Sequence, residues 1–313
     1  VWKLFANPRL KRFAVADAPI ELGEIASARQ ILFAVFARYG DSVIAFKSID
    51  RFISVYPGKD YIVITTHQAL PYARALIRSP ARLYGINKRR NPVKLIRFIR
   101  MLRRRPPDVG FNPWSHGLES NWFVSYCKRF HFFRSYDAAN SALNHYEKLR
   151  QYMLLPAPSR RPPSMLPRHA GRILLVPFST DAERSLDRDE VEMLIRELRR
   201  VYPDASLTLA IMQAERGIVE DRLVDGIFVF GKTQAHSEEF LSLLKRIDLF
   251  VGVDSGPLHL ADGLGLCSIA FFGPTTPQKV LDHDTRVVTL DKSRLTAPGA
   301  LSRDGLTNAM LHL

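Results

Sequence analysis

Short apolar runs alternate with stretches whose apolar residues recur at helical spacing, and this alternation organises the chain. Ile31-Leu-Phe-Ala-Val-Phe36 reads as a strand. Ala37-Arg-Tyr-Gly-Asp41 then forms a glycine turn, and a helical pattern runs to about Tyr56. Pro57-Gly58 ends that helix, and Tyr61-Ile-Val-Ile-Thr65 is the next strand, completing a β-α-β unit. Further on, Val93, Ile96, Ile99 and Leu102 recur at helical spacing among Lys94, Arg97, Arg100, Arg104 and Arg105. Residues 156–167, PAPSRRPPSMLP, hold five prolines in twelve positions and read as a semi-rigid linker.

After the linker the rhythm restarts. Strands are expected at Ile173–Val176, Ser206–Ile211, Ile227–Phe230, Leu249–Val253 and Ser268–Phe272. Helices are expected over Arg188–Tyr202, from about Ser237 to Ile247, and from Pro257 to Gly263 or Gly265. Short, fully apolar strands alternating with helices imply parallel sheets covered on both faces. The expected fold class is therefore α/β, with two Rossmann-like domains, 1–158 and 159–313, facing across a cleft.

Composition adds limits. The 313 residues are 46% apolar and 24% charged, enough for two ordinary cores and without low-complexity tracts. No run of 18 apolar residues suggests a membrane span, and the first residues lack the pattern of a secretory signal. The two cysteines, Cys127 and Cys267, sit among hydrophobic or aromatic neighbours and read as free buried thiols. Charge is unevenly divided. Residues 1–160 carry 27 Lys/Arg against 10 Asp/Glu, and residues 161–313 carry 18 against 21. Between Lys88 and Arg105 stand nine basic residues and no acidic one, a field suited to polyanions or an anionic lipid surface. Phe111, Trp114, Trp122, Tyr126, Phe130, Phe132 and Phe133 form no recognisable nucleic-acid module, so they are assigned to core and to the wall of an acceptor cleft, and no nucleic-acid partner is expected.

The chemistry gathers where two strands end in small, hydroxyl-bearing loops, Asp254-Ser-Gly-Pro257 and Gly273-Pro-Thr-Thr-Pro277. Ligands of parallel α/β sheets sit beyond the carboxyl ends of the strands. Ser255 or Gly256 stands near a helix N-cap, Pro257 suits the first helical turn, and Gly256 leaves room for an approaching group. Free N–H groups at such a helix start make a cradle for phosphate.

Residues 231–277, including VGVDSGPLHLADGLGLCSIAFFGPTTP, resemble the nucleotide-sugar domain of the ADP-heptose:lipopolysaccharide heptosyltransferases, a glycosyltransferase family 9-like group. Residues 37–65 are similar to that family's acceptor-side motif, in which Arg or Lys, a spacer, Gly and Asp precede a helix. The resemblance spans roughly 35–290 and is thin between 66 and 170. It implies a GT-B architecture and inverting transfer of a heptose or related sugar from a nucleotide diphosphate, with no cofactor and no metal. It also implies a glycan or lipid-linked glycan acceptor, and residues 292–313 packing back on the first domain.

On that likeness Asp41 is the general base, deprotonating the attacking sugar hydroxyl. Ser255, Gly256 and His259 take the donor diphosphate, Thr233 and Thr275 contribute to the phosphate and sugar pocket, Glu215 to ribose, and Ser179 stands near phosphate. The family commonly has a lysine and then an aromatic residue after the Ser179 loop. Here the chain reads Asp181-Ala-Glu-Arg-Ser-Leu186, so Arg184 replaces the lysine with a planar fork and Leu186 removes the aromatic. Residues 210–216 also lack the glycines expected near the nucleotide, which leaves the donor open. Arg38, Arg89, Arg90, Arg97 and Arg104 are assigned to the acceptor and to the anionic inner-membrane surface, giving a cytoplasmic, membrane-peripheral placement. Two other readings share the layout: a catalytically silent nucleotide- or glycan-binding relative, and a nucleotide-sugar epimerase. An epimerase needs acid–base groups on both faces of a sugar carbon, and Asp41 is the one base the sequence nominates.

Overall fold

The computed structural model describes residues 20–87, 92–113, 118–132, 140–157, 166–217 and 219–296. Residues 297–313, within the segment expected to pack back on the first domain, lie outside this set. The chain divides into two compact units, Val1–Ala157 and Pro158–Leu313.

In the first unit, helix α1 (Leu22–Ser27) leads into β1 (Gln30–Val35), followed by α2 (Tyr39–Val55), β2 (Asp60–Thr66), α3 (Leu70–Leu76) and β3 (Arg82–Ile86). Then come α4 (Pro92–Arg104), β4 (Val109–Asn112), α5 (Leu118–Val124), β5 (Arg129–Phe132) and α6 (His145–Tyr152). Among the described residues the strands form one parallel sheet in the order β3-β2-β1-β4-β5. The chain steps outward from β1 in one direction and then returns to the other side, so the topological switch lies between β1 and β4. On one face Phe33 stacks with Tyr61 and Phe111, its centroid 5.3 Å from that of Phe111, and Phe52 meets Phe33 and Tyr61 edge-on. On the other, Leu32, Ile64, Phe98, Ile99, Leu102 and Phe123 form a second core.

The second unit runs β6 (Arg172–Val176), α7 (Arg188–Val201), β7 (Ser206–Met212), β8 (Gly226–Phe230), α8 (Gln234–Leu244), β9 (Leu249–Val253), α9 (Gly256–Leu264), β10 (Ser268–Phe272), α10 (Pro277–Val280) and β11 (Val287–Asp291). Its parallel sheet has the order β11-β10-β9-β6-β7-β8, with the switch between β6 and β9. Two doubly wound sheets flanked by helices are the two Rossmann-like domains expected from the alternation, consistent with the GT-B architecture that the resemblance implies.

One device recurs in both units. Asp108, just before β4, accepts hydrogen bonds from the Arg29 and Gln30 N–H groups at 2.8 and 3.1 Å. Asp248, just before β9, accepts from the Gly171 and Arg172 N–H groups at 2.9 and 2.8 Å. In each sheet a carboxylate ahead of the strand across the switch satisfies the donors that open the first strand. The Asp108 carboxyl is held below its ordinary range, mainly by its hydrogen bond from Lys128.

Four local expectations are corrected. The glycine turn before α2 is absent: Gly40 and Asp41 already lie in the first helical turn, behind an Arg38 N-cap that makes no side-chain capping bond. Val93 and Ile96 do not belong to the inward stripe of α4; they are 57% and 37% exposed, while Phe98, Ile99 and Leu102 are buried. Helix α8 begins at Gln234, three residues before the expected start, because the Thr233 hydroxyl caps it. Cys127 is buried as expected, but Cys267 is only partly so.

Of the aromatic cluster, Phe111, Trp122 and Tyr126 are buried in the first unit, and Phe130 packs partly buried against its core. Trp114 and Phe133 lie outside the described residues.

Candidate functional site

The site is built at the β6/β9 switch, beyond the carboxyl ends of two neighbouring strands. Strand β9 is buried throughout, and Gly252 near its end lies opposite Val176 in β6. A Cβ on Gly252 would stand 2.7 Å from the Val176 carbonyl oxygen, so glycine is what lets the two strand ends approach this closely. The chain then passes straight into Asp254 and Ser255, which are 1% and 6% exposed.

A carboxylate this deeply buried must be paired. Asp254 Oδ2 accepts hydrogen bonds from Thr275 Oγ1 at 2.6 Å and Arg184 Nη1 at 3.2 Å. His259 Nε2 stands 3.6 Å from Asp254 Oδ1, one turn along α9. Burial by itself would raise the Asp254 pKa, but the surrounding His259, Thr275 and Arg184 groups outweigh it and hold the carboxyl at about 2. Arg184 is delivered by a single 3₁₀ turn, Ala182–Arg184, capped by Asp181, whose carboxylate also lies 3.4 Å from Arg184 Nε. The loop is pinned from the far side of the sheet: Lys292 Nζ donates to the Ser185 carbonyl at 2.7 Å and sits 3.2 Å from Glu190. Ser185 Oγ accepts from the Ser179 N–H at 2.9 Å, and the Ser179 hydroxyl faces the Asp181 N–H at 3.4 Å.

Three buried side-chain polar atoms in this cluster have no hydrogen-bond partner: Ser255 Oγ, His259 Nδ1 and Arg184 Nε, the last only within ion-pair range of Asp181. Ser255 is the N-cap of α9, with extended backbone, yet its hydroxyl caps nothing. The first turn of a helix leaves N–H groups without internal partners, and Pro257 removes one of these donors at no cost. At its other end α9 stops at Gly265, whose φ of 78° is open to glycine. The Ser255 hydroxyl and His259 Nδ1 are thus left without partners at the N-cap and in the first turn of a helix whose opening N–H groups have none inside it. Such a set of donors, on the positive end of a helix dipole, fits an anion.

The structure therefore brings together Ser255, Gly256, His259, Thr275 and Arg184, with Ser179 in the adjoining loop. It does not join Thr233 and Glu215 to them by any described contact. The Thr233 hydroxyl accepts from the His236 N–H at 3.2 Å and lies 2.6 Å from His236 Nδ1. Glu215 folds back to accept from the Met212 N–H at 2.7 Å. In the first unit, Arg38 is exposed and Asp41 is half-buried at the start of α2. Arg97 and Arg104 are exposed on α4, and Arg89 and Arg90 lie outside the described residues.

Sequence reasoning missed the two residues that organise the site. Asp254 was readable: a carboxylate directly after a fully apolar strand has no water to meet, so it must gather partners. Lys292 was not, since only the return of β11 to the sheet brings it to the Ser185 loop.

Residues 216–296 match the glycosyltransferase family 9 (heptosyltransferase) pattern. No curated protein matches the sequence. Among solved structures, E. coli heptosyltransferase WaaC with ADP aligns with a TM-score of 0.64 at 15% identity, covering 90% of this chain and 99% of that one. E. coli ADP-heptose lps heptosyltransferase II aligns with a TM-score of 0.64 at 11% identity, over 90% and 99%. The glycosyl transferase family 9 protein of Veillonella parvula aligns with a TM-score of 0.57 at 11% identity, over 91% and 98%. At these identities the likeness carries the fold, while the matched segment spans the α9 cradle, Asp254 and Thr275. Over residues 216–296 the chain is thus similar to glycosyltransferase family 9 (heptosyltransferase), and its overall fold is that of the solved heptosyltransferases.

Proposed function

We propose that the protein is an inverting glycosyltransferase that draws a heptose or related sugar from a nucleotide diphosphate donor. The observation that carries this reading is the pair of buried, unpartnered atoms, Ser255 Oγ and His259 Nδ1, at the N-terminus of α9. A diphosphate would accept from the Ser255 hydroxyl and the Gly256 and Leu258 N–H groups. The negative charge that develops on the leaving oxygen as the sugar C1–O bond breaks is then stabilised in place. His259 presents its second ring nitrogen to the same group while Nε2 faces Asp254. Arg184 adds positive charge from the β6 loop. Asp41 accepts the proton of the acceptor hydroxyl as that oxygen attacks C1.

The acceptor in this reading is a phosphate-bearing glycan or lipid-linked glycan. The protein works at the cytoplasmic face of the inner membrane, which agrees with the basic character of the first unit and with the absence of a membrane-spanning helix among the described residues.

One observation favours a second reading, a silent nucleotide-binding relative: Arg184 is already engaged by Asp254 and Asp181. Calorimetry with ADP, UDP, GDP and CDP, repeated on a Gly256→Trp variant, tests the cradle. Selective binding of one nucleotide, lost in the variant, supports it, and no binding by any of the four removes the transferase reading. D41N then separates the two readings, since a transferase keeps donor affinity and loses turnover by a factor of about 10² or more.

A further inference from the structure

Helix α4 has two faces that do different things. Leu95, Phe98, Ile99 and Leu102 turn inward onto Leu32, Ile64 and Phe123. The outward line, at spacings of four, three and four residues, is Val93, Arg97, Arg100 and Arg104, with Ile96 and Arg103 beside it. All six are exposed, Val93 at 57% and Ile96 at 37%. Among the described residues no carboxylate pairs with Arg97, Arg100 or Arg104, and Arg103 lies over the Tyr126 ring at 5.6 Å. The outward face is thus an apolar first turn followed by unpaired guanidinium groups, in a segment, Lys88–Arg105, that contains no acid.

The geometry points to α4 as an interfacial helix that lies on an anionic bilayer, with Val93 and Ile96 entering the headgroup–acyl boundary and Arg97, Arg100 and Arg104 meeting lipid phosphates. The charge complementarity alone would suit any polyanion. The apolar turn decides between them, because an acyl boundary removes Val93 and Ile96 from water and a nucleic-acid backbone offers them nothing. The inference deepens the reading above by naming the surface beside which the acceptor would stand, and rests on that reading for the acceptor alone. It requires no nucleotide chemistry.

Sedimentation of the full chain with vesicles tests it, using phosphatidylcholine alone and phosphatidylcholine with one-third phosphatidylglycerol. Wild type is expected to bind the anionic vesicles, with affinity falling steeply as salt rises, and to leave the neutral ones in solution. V93S/I96S keeps every charge and should bind about tenfold more weakly with the same salt dependence. R97Q/R100Q/R104Q should weaken binding about a hundredfold and flatten the salt dependence. Unchanged melting temperatures show that both variants are folded. Equal binding by V93S/I96S and wild type overturns the proposal, as does preference for a 20-nucleotide RNA over anionic vesicles. Calorimetry with nucleotide on the same samples keeps the readings apart. Vesicle binding without nucleotide binding sinks the transferase and leaves α4 as stated; nucleotide binding without vesicle binding does the reverse.

Discussion

Replacing Asp254 by Asn removes one charge from the centre of the site and little else. Asn retains an oxygen for the Thr275 hydroxyl, which now sits 2.6 Å from Oδ2, and it occupies the same volume. What it loses is the attraction of the carboxylate for Arg184, 3.2 Å away, and for His259, 3.6 Å away. The wild-type carboxyl is held at about 2 against an ordinary value of 3.8. At about 1.4 kcal/mol per pH unit, that difference stabilises the folded state by roughly 2 kcal/mol at pH 7. The sign follows from the direction: a depressed carboxyl stabilises fully above its unfolded value, and the contribution is lost as pH falls through 4 toward 2. The gap between wild type and D254N should therefore shrink to roughly half its pH 7 size at pH 3.

The assay is urea unfolding of both proteins at pH 7, 4 and 3. The three tryptophans, Trp2, Trp114 and Trp122, all belong to the first unit, so indole fluorescence reports that unit alone. Circular dichroism reports both units, so the part of its transition that fluorescence does not follow is the second unit's, which is where the shift belongs. A gap that stays constant from pH 7 to pH 3 would refute the electrostatic account. So would an equal shift in the fluorescence-detected transition.

Two other substitutions probe different links of the argument. G252A drives a Cβ into the Val176 carbonyl at 2.7 Å and the Phe250 ring at 3.0 Å, so thermal melts should show a loss of about 2–3 kcal/mol, and a neutral result would mean the β6/β9 approach is not tight. T233A removes the hydroxyl that caps α8 and should cost about 1 kcal/mol in urea unfolding with nucleotide affinity unchanged; a tenfold loss of affinity would instead return Thr233 to the ligand pocket.

Much of this protein is written locally. Short apolar runs such as Leu249–Val253 set strand positions, since β backbone with both faces covered needs apolar side chains on every residue. Gly-Pro punctuation such as Gly256-Pro257 and Gly273-Pro274 follows their ends, and Ser255, Gly256 and His259 fall together because they lie about one helical turn apart. The sequence by itself therefore determined the two α/β repeats and the grouping of Ser255, Gly256 and His259 at the start of α9. Faces were less legible. Val93 and Ile96 share a helical period with Ile99 and Leu102, but which arc of α4 is buried depends on where the sheet lies, and Phe98 won that contact.

Only the tertiary structure decided what surrounds Asp254. Its partners stand 70 residues upstream at Arg184 and 21 downstream at Thr275, and no periodicity links such positions. They meet because β9 pairs with β6 on one side and β10 on the other, an order fixed by non-local strand pairing and the handedness of the crossovers. Local dihedral preference tells a segment what to become. Which strand ends stand side by side, and hence which charges a buried carboxylate finds, is settled only when the sheet assembles.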